Sequence, residues 1–259
     1  MGLGDQLLAA GIARGAAARG ARIAFGDGKT IIWDHHSERI FRNNPNVAFP
    51  GALYPDIAVE WVPFYKGHRG YNVSTTDRWL WNYDFRARPG EIYLNPSEHA
   101  YAKTVGTGFV VIEPNIPLKG TGYLVNKQWS FARYREVAHR LVKSGIDVVQ
   151  FVLPNRPLLE TVRHVEASTF RHAMAVLQRA ALYIGTEGGL HHAAAAVGIP
   201  AVVIFGGWVP PAVLGYPTHV NLTGGVTEAC GSFRVCAHCR QALDRITADE
   251  VVEHAMASL

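Results

Sequence analysis

The chain has 259 residues, 48% hydrophobic and 18% charged, which excludes disorder and allows one large domain or two small ones with well-buried cores. No apolar run approaches the roughly 18–20 residues that span a bilayer, no signal-peptide pattern opens the chain, and three late cysteines argue against a disulfide framework and for a reducing, cytoplasmic setting, at most at the inner face of a membrane. A net charge of +4 and a pI near 9.0 suit anionic substrates but are too diffuse to demonstrate nucleic-acid binding.

In chain order, Gly2, Gly4 and Asp5 read as a turn before a helix that ends near Gly20, with Leu7, Leu8 and Ile12 on one face. Residues 22–25 form a strand candidate, 33–41 a helix, and Asn43-Asn44-Pro45-Asn46 a turn. Residues 47–95 are rich in Pro, Gly, Trp and Tyr, with strand candidates at 58–62 and 92–94 and a short helix at 97–103. After Gly106-Thr107-Gly108 the texture changes. Strands are expected at 109–113, 148–153, 182–185 and 201–205, and helices at 131–144, 169–180, 191–197 and 248–258. This alternation predicts βαβ units in a parallel, doubly wound sheet. The domain boundary is expected near residue 107, dividing the chain into 1–107 and 108–259.

The stretch Tyr183–Gly206 carries the most chemistry. A strand runs into the turn Thr186-Glu187-Gly188-Gly189, a helix opens at His191-His192, and an apolar strand comes next. A glycine turn at a helix N-terminus leaves backbone N–H groups free to bind an anion. Glu187 could instead be a dipole partner, and one of the two histidines could be structural. Gly4-Asp5 is either helix punctuation or a carboxylate placed to take a proton. Lys127 in Asn126-Lys127-Gln128-Trp129-Ser130 is either solvated or set against a diphosphate. Cys230-x5-Cys236-x2-Cys239, with His238 inside it, has zinc-ligand residue types. A closed site needs four ligands, however, so reduced structural thiols are the preferred reading and no metal is assigned.

Taken together and in order, these motifs resemble the heptosyltransferase family, glycosyltransferase family nine, an α/β family of GT-B fold. Gly4-Asp5 is similar to its N-terminal Gly-Asp, and Lys127-x-Trp129 to its Lys-x-Trp. Thr186-Glu187-Gly188-Gly189-Leu190-His191-His192 resembles its Asp-Ser-Gly-x-x-His turn. Ile199-Pro200 through Gly206 resembles the family's next strand and Phe-Gly turn, and the tail resembles its cysteine-bearing C-terminus. Glu187 stands where the family has aspartate, Gly188 where it has serine, and His192 is the in-register histidine. The match is weak over residues 20–95. The family's first strand has no counterpart before Gly2, which implies a later start or a reorganised, reduced N-terminal domain.

The resemblance implies an inverting, metal-independent transfer from a nucleotide-diphosphate sugar to an acceptor hydroxyl, with no cofactor. Asp5 would be the base. Lys127, Thr186, Glu187, Gly188, Gly189 and His192 would bind the donor. The acceptor could be a glycan, lipid, protein or modified nucleic acid. Two alternatives stand beside it. One is a sugar-nucleotide epimerase or hydrolase in the same cleft. The other is a non-catalytic nucleotide-sugar or nucleic-acid module, with Trp61, Tyr71, Trp79, Trp81 and Tyr83 as stacking surfaces.

Overall fold

The structure, a computed structural model, describes residues 1–116 and 122–259. Helix α1 (Leu3–Ala17) comes first, burying Leu7, Leu8 and a series of small residues. Strands β1 (Ala21–Phe25) and β2 (Ala58–Val62), separated by α2 (His35–Phe41), pair in parallel from Ala21 opposite Ala58 to Phe25 opposite Val62. Val47 also bridges to Ile23. An antiparallel hairpin of β3 (Asn72–Ser74) and β4 (Trp79–Trp81) precedes α3 (Pro96–Val105).

The larger part is a six-stranded parallel sheet of β5 (Val110–Glu113), β6 (Val148–Phe151), β7 (Arg163–Val165), β8 (Leu182–Thr186), β9 (Ala201–Ile204) and β10 (His219–Leu222). Their order is β10-β9-β8-β5-β6-β7. A short 3-10 helix (Gly122–Lys127), α4 (Phe131–Lys143), α5 (Phe170–Leu177), α6 (Gly189–Val197), α7 (Pro211–Leu214), α8 (Ala237–Arg245) and α9 (Ala248–Ala257) connect and cover the strands.

The four central strands are buried on both faces, as their continuous apolar runs require. Val111, Tyr183 and Val203 pack into one core with α1, α5 and α6. Val110, Ile112, Ile184 and Val202 pack into the other with Tyr134, Val137 and Leu141 of α4 and Val251 and Ala255 of α9. The chain direction of the winding reverses between β5 and β8. A crevice opens at the carboxyl ends of strands flanking such a switch point, and there β8 delivers the 186–189 turn. No helix among the described residues is long and apolar enough to cross a membrane.

The expected strand at 92–94 is absent. The Tyr93 carbonyl accepts from Arg171 Nη2 at 2.6 Å instead of from a neighbouring strand. Arg171 also donates to Glu98 at 2.5 and 2.9 Å and to the Arg39 carbonyl at 2.9 Å, so one buried guanidinium ties α5 to α3, α2 and the 92–94 segment. Burial works to raise the pKa of Glu98, but the bonds from Arg171 outweigh it and hold the pKa below its ordinary value. The stability this pair contributes is therefore present above the ordinary carboxylate range and is lost as pH falls through the folded pKa. Arg171→Met strands the buried carboxylate and is expected to cost about 3 kcal/mol in urea unfolding at pH 7. Adding Glu98→Gln should recover part of that loss.

Candidate active site

The site forms where two helices begin. At the end of β8 the chain turns through Glu187 and Gly188 and enters α6 at Gly189, and no side chain caps that helix. The N-cap of α1, Gly2, likewise offers no side chain to the first N–H groups of its helix, although the Asp5 carboxylate accepts from the Gly2 N–H. The two N-termini meet: a Cβ on Gly4 would lie 3.0 Å from His192 Cδ2 and 3.5 Å from Gly189 Cα. Glycine at position 4 lets the backbones approach, and two positive dipole ends with unpaired N–H groups share one space.

Asp5, in the first turn of α1, accepts from the Gly2 N–H at 2.8 Å and from the Tyr71 hydroxyl. Arg69 Nη1 lies 3.7 Å away. The Arg69 guanidinium sits over Trp79 at 4.3 Å and Tyr71 at 5.2 Å from the ring centroids. Burial, then the Asp5 charge, pushes the Tyr71 phenol well up, so it remains a protonated donor.

Across from Asp5, Glu187 is buried. Lys127, at the end of the 3-10 helix, donates to it at 2.5 Å and stands 5.4 Å from the Trp208 ring centroid. His192 Nε2 is 3.3 Å from the other carboxylate oxygen, and His192 Nδ1 is 2.8 Å from the Tyr216 hydroxyl. A carboxylate only accepts, so the His192 Nε2 that faces Glu187 is the protonated, donating nitrogen. Burial alone would raise the Glu187 pKa, but Lys127 and then His192 outweigh it and hold the carboxylate well below its usual range. Thr186 Oγ1 is 3.0 Å from the Tyr134 hydroxyl. Glu113, at the end of β5 opposite Gly185, keeps one oxygen buried without a partner, and burial pushes its pKa up to about 8.

Asp5, Lys127, Thr186, Glu187, Gly188, Gly189 and His192 thus fall at or beside the meeting point of the two helices. His191, unlike His192, is fully buried with neither ring nitrogen bonded, packed near Phe205, Tyr216 and His219. Arg69, Trp208 and Tyr216 are not among the residues expected at the site, and Tyr71, expected only as a stacking surface, meets Asp5 instead. They lie on loops, and no local pattern marks them; only the tertiary fold brings them in. Of the aromatic residues considered for stacking, Tyr71 is buried and Trp79 and Trp81 pack against Phe233 and Trp208, while Trp61 and Tyr83 are exposed.

Among the described residues, three groups have metal-ligating atoms close together: Glu187, His191 and His192; Asp34, His35 and His36; and Cys230, Cys236 and Cys239. In the first, the Lys127 ammonium already serves Glu187, and a dication would meet its charge. In the second, Asp34 caps α2 and pairs with the N-terminal amine.

Residues 76–238 match glycosyltransferase family 9 (heptosyltransferase). Among solved structures, the ADP-heptose LPS heptosyltransferase II of E. coli is 19% identical, covering 69% of this chain and 54% of its own length, with a TM-score of 0.46. A family 9 glycosyl transferase from Veillonella parvula DSM 2008 is 15% identical over 65% of this chain and 53% of its own, with a TM-score of 0.50. TibC, described as a bacterial iron-containing dodecameric glycosyltransferase from enterotoxigenic E. coli H10407, is 15% identical over 100% of this chain and 73% of its own, with a TM-score of 0.60. The chain spans about half the length of the first two. At these identities the likeness is one of fold: GT-B, two Rossmann-like domains with the N-terminal one reduced. No curated protein sequence matches the chain.

The buried imidazoles predict acid sensitivity. Burial takes the His219 pKa down to about 4 and that of His191 well below its ordinary value. Both rings are neutral when folded and protonate when unfolded, so their contribution is complete above about pH 6.5 and falls away toward pH 4. His219 alone accounts for about 2 kcal/mol lost between pH 7 and pH 5. Urea unfolding of His219→Phe should lack that increment; an unchanged pH slope would contradict it.

Proposed function

The chain belongs to glycosyltransferase family 9, the heptosyltransferase family, and on that premise we propose that it moves a sugar from a nucleoside diphosphate to an acceptor hydroxyl with inversion at the anomeric carbon. The observation that carries this reading is the meeting at Gly4 and Gly189 of two helix N-termini whose cap residues are glycines, with Lys127 and Asp5 beside them. That is an anion site with a carboxylate at its edge.

Residues 108–259 hold the donor and residues 1–107 face the acceptor. The diphosphate lies against the first N–H groups of α6 and draws Lys127 toward it. Glu187, released from part of its ion pair, accepts hydrogen bonds from donor hydroxyls. Asp5 takes the acceptor's proton as that oxygen attacks the anomeric carbon. The bond from this carbon to the phosphate oxygen breaks, and the nucleoside diphosphate leaves with the electron pair. Lys127 and the helix ends meet the charge that develops on it, so the step itself uses no metal.

Tyr71 and Arg69 hold the Asp5 carboxylate in place. The partly exposed Asp5 side chain is reachable by an acceptor, whereas Glu187 is enclosed. TibC has been described in complex with ADP-D-beta-D-heptose, which makes ADP-heptose the first donor to test. The packing of Tyr71, Trp79 and Trp81 against Phe85, Phe233 and Trp208, with Arg69 over the Trp79 ring, favours transfer over a nucleic-acid platform.

Asp5→Asn keeps the shape of the residue but removes the base. It should lower transfer by about a thousandfold while ADP binding by calorimetry stays near that of the wild type. Full activity in this variant would remove Asp5 as the base. Release of free sugar from ADP-heptose without any acceptor, at the wild-type rate, would identify a hydrolase instead.

A further inference from the structure

Two polar groups at the carboxyl edge of the larger sheet take no part in the steps above. Glu113 closes β5 and lies directly opposite Gly185 of β8. Its Oε1 accepts from the Asn115 N–H at 2.9 Å, while its Oε2 is buried with no partner among the described residues. Tyr183, two residues before Gly185, is also buried, and its hydroxyl makes no hydrogen bond among the described residues. We propose that Glu113 and Tyr183 form the floor of a nucleoside subsite and together bind one ribose hydroxyl of the donor. This subsite rests on the reading that the donor is a nucleoside diphosphate sugar.

The sheet brings the two groups together. Phe109, Val111 and Tyr183 face the same core, and Glu113 follows Val111 by two residues, so its side chain stands on that same face. Gly185 makes room between them: a Cβ there would collide with the Tyr183 hydroxyl and lie 3.2 Å from the Glu113 carbonyl oxygen. The hydroxyl thus fills the space above Gly185 that any other residue would take. Burial pushes the Glu113 carboxyl up to about 8 and the Tyr183 phenol well above its ordinary value, so both hold their protons at neutral pH. Glu113 therefore sets no negative charge beside a diphosphate. Buried donors left unpaired are costly, and a ligand hydroxyl, which both donates and accepts, satisfies such groups.

Placement selects the ribose. After β5 the chain covers one face of the sheet with α4, and after β8 it covers the other with α6. These two neighbouring strands therefore flank the switch point, where ligands of such sheets enter. Helix α1 packs on α6, so Asp5 approaches the diphosphate from the α6 side. The anomeric end of the donor must face Asp5, and its nucleoside end then runs the other way, from β8 over β5. Ribose is the first unit beyond the diphosphate, and β5, about 4.8 Å away, is the first strand beyond β8. The chain surfaces at the partly exposed Asn115, two residues past Glu113, so the pair lies just beneath the crevice. A hydroxyl held there is shielded from water, where a hydrogen bond is electrostatically stronger.

Calorimetric binding of ADP, 2′-deoxy-ADP and 3′-deoxy-ADP to the full chain tests the subsite without any transfer step. GDP, CDP or UDP with its deoxy forms takes the place of ADP where that is the nucleotide that binds. The wild-type protein should bind the ribonucleotide roughly tenfold more tightly than at least one deoxy analogue. Tyr183→Phe removes one oxygen and keeps the ring, and Glu113→Leu removes the carboxyl. Each should weaken the ribonucleotide, bind the discriminated analogue as the wild type does, and so abolish most of the difference. Glu113→Gln keeps a hydrogen-bonding amide and should retain part of it. A purely structural role would weaken all three nucleotides alike and leave the ratio unchanged. Where Glu113→Leu fails to fold, Tyr183→Phe decides. A bound ribonucleotide with no discrimination against either analogue, or the wild-type ratio kept in Tyr183→Phe, would overturn the subsite and leave the transfer reading standing. Failure of ADP, GDP, CDP and UDP alike to bind would overturn both.

Discussion

Two helices can begin at the same place only if nothing projects between them. The approach of α1 to α6 depends on Gly4, since a methyl group there would already press on the His192 ring. The consequence is electrostatic. Two positive dipole ends and their unpaired N–H groups face a common volume, and like charge must be balanced there. Asp5 supplies one anion from within α1 and Glu187 another just ahead of α6. The arrangement remains short of hydrogen-bond acceptors at the first N–H groups of α6, which fits a bound diphosphate.

The two carboxylates are braced in similar ways but placed differently. Each has a cation nearby, Arg69 for Asp5 and Lys127 for Glu187. Each is also linked to a tyrosine, Tyr71 directly to Asp5 and Tyr216 to Glu187 through His192. Glu187 is enclosed, and its charge is maintained against the cost of burial. Asp5 keeps an open side. Burial thus separates a residue that can hold a ligand from one that can exchange a proton with it.

The larger sheet was legible in the sequence because β5, β6, β8 and β9 are mostly apolar runs, as strands buried on both faces are. Their spatial order was not legible, since it is set by helix packing and not by local pattern. The edge strands β7 and β10, with the sequences RHV and HVNL, are too short and polar to signal themselves. Helix α8 escaped notice because its first turn coincides with the cysteines and only Cys239, Ala242 and Leu243 face inward. The residues of the glycine turns and of the Lys127 segment stood out because tight turns and helix starts restrict residue type. Arg69 and Tyr216 did not, because nothing local requires an aromatic or a guanidinium where they stand, and Tyr71 read only as a stacking surface. The extended 92–94 segment shows the opposite error: its run of Ile92, Tyr93 and Leu94 suggests a strand, but a buried arginine takes the carbonyl that a neighbour would have used.

The central claim is that the paired helix starts bind a nucleoside diphosphate. The most direct measurement is a crystal structure of the protein with ADP. The predicted result places diphosphate oxygens within hydrogen-bonding distance of the N–H groups of Gly189 and Leu190, with Lys127 Nζ turned from Glu187 toward a phosphate. A nucleotide bound with its diphosphate away from the Gly4–Gly189 contact, and Lys127 still paired with Glu187, would contradict it.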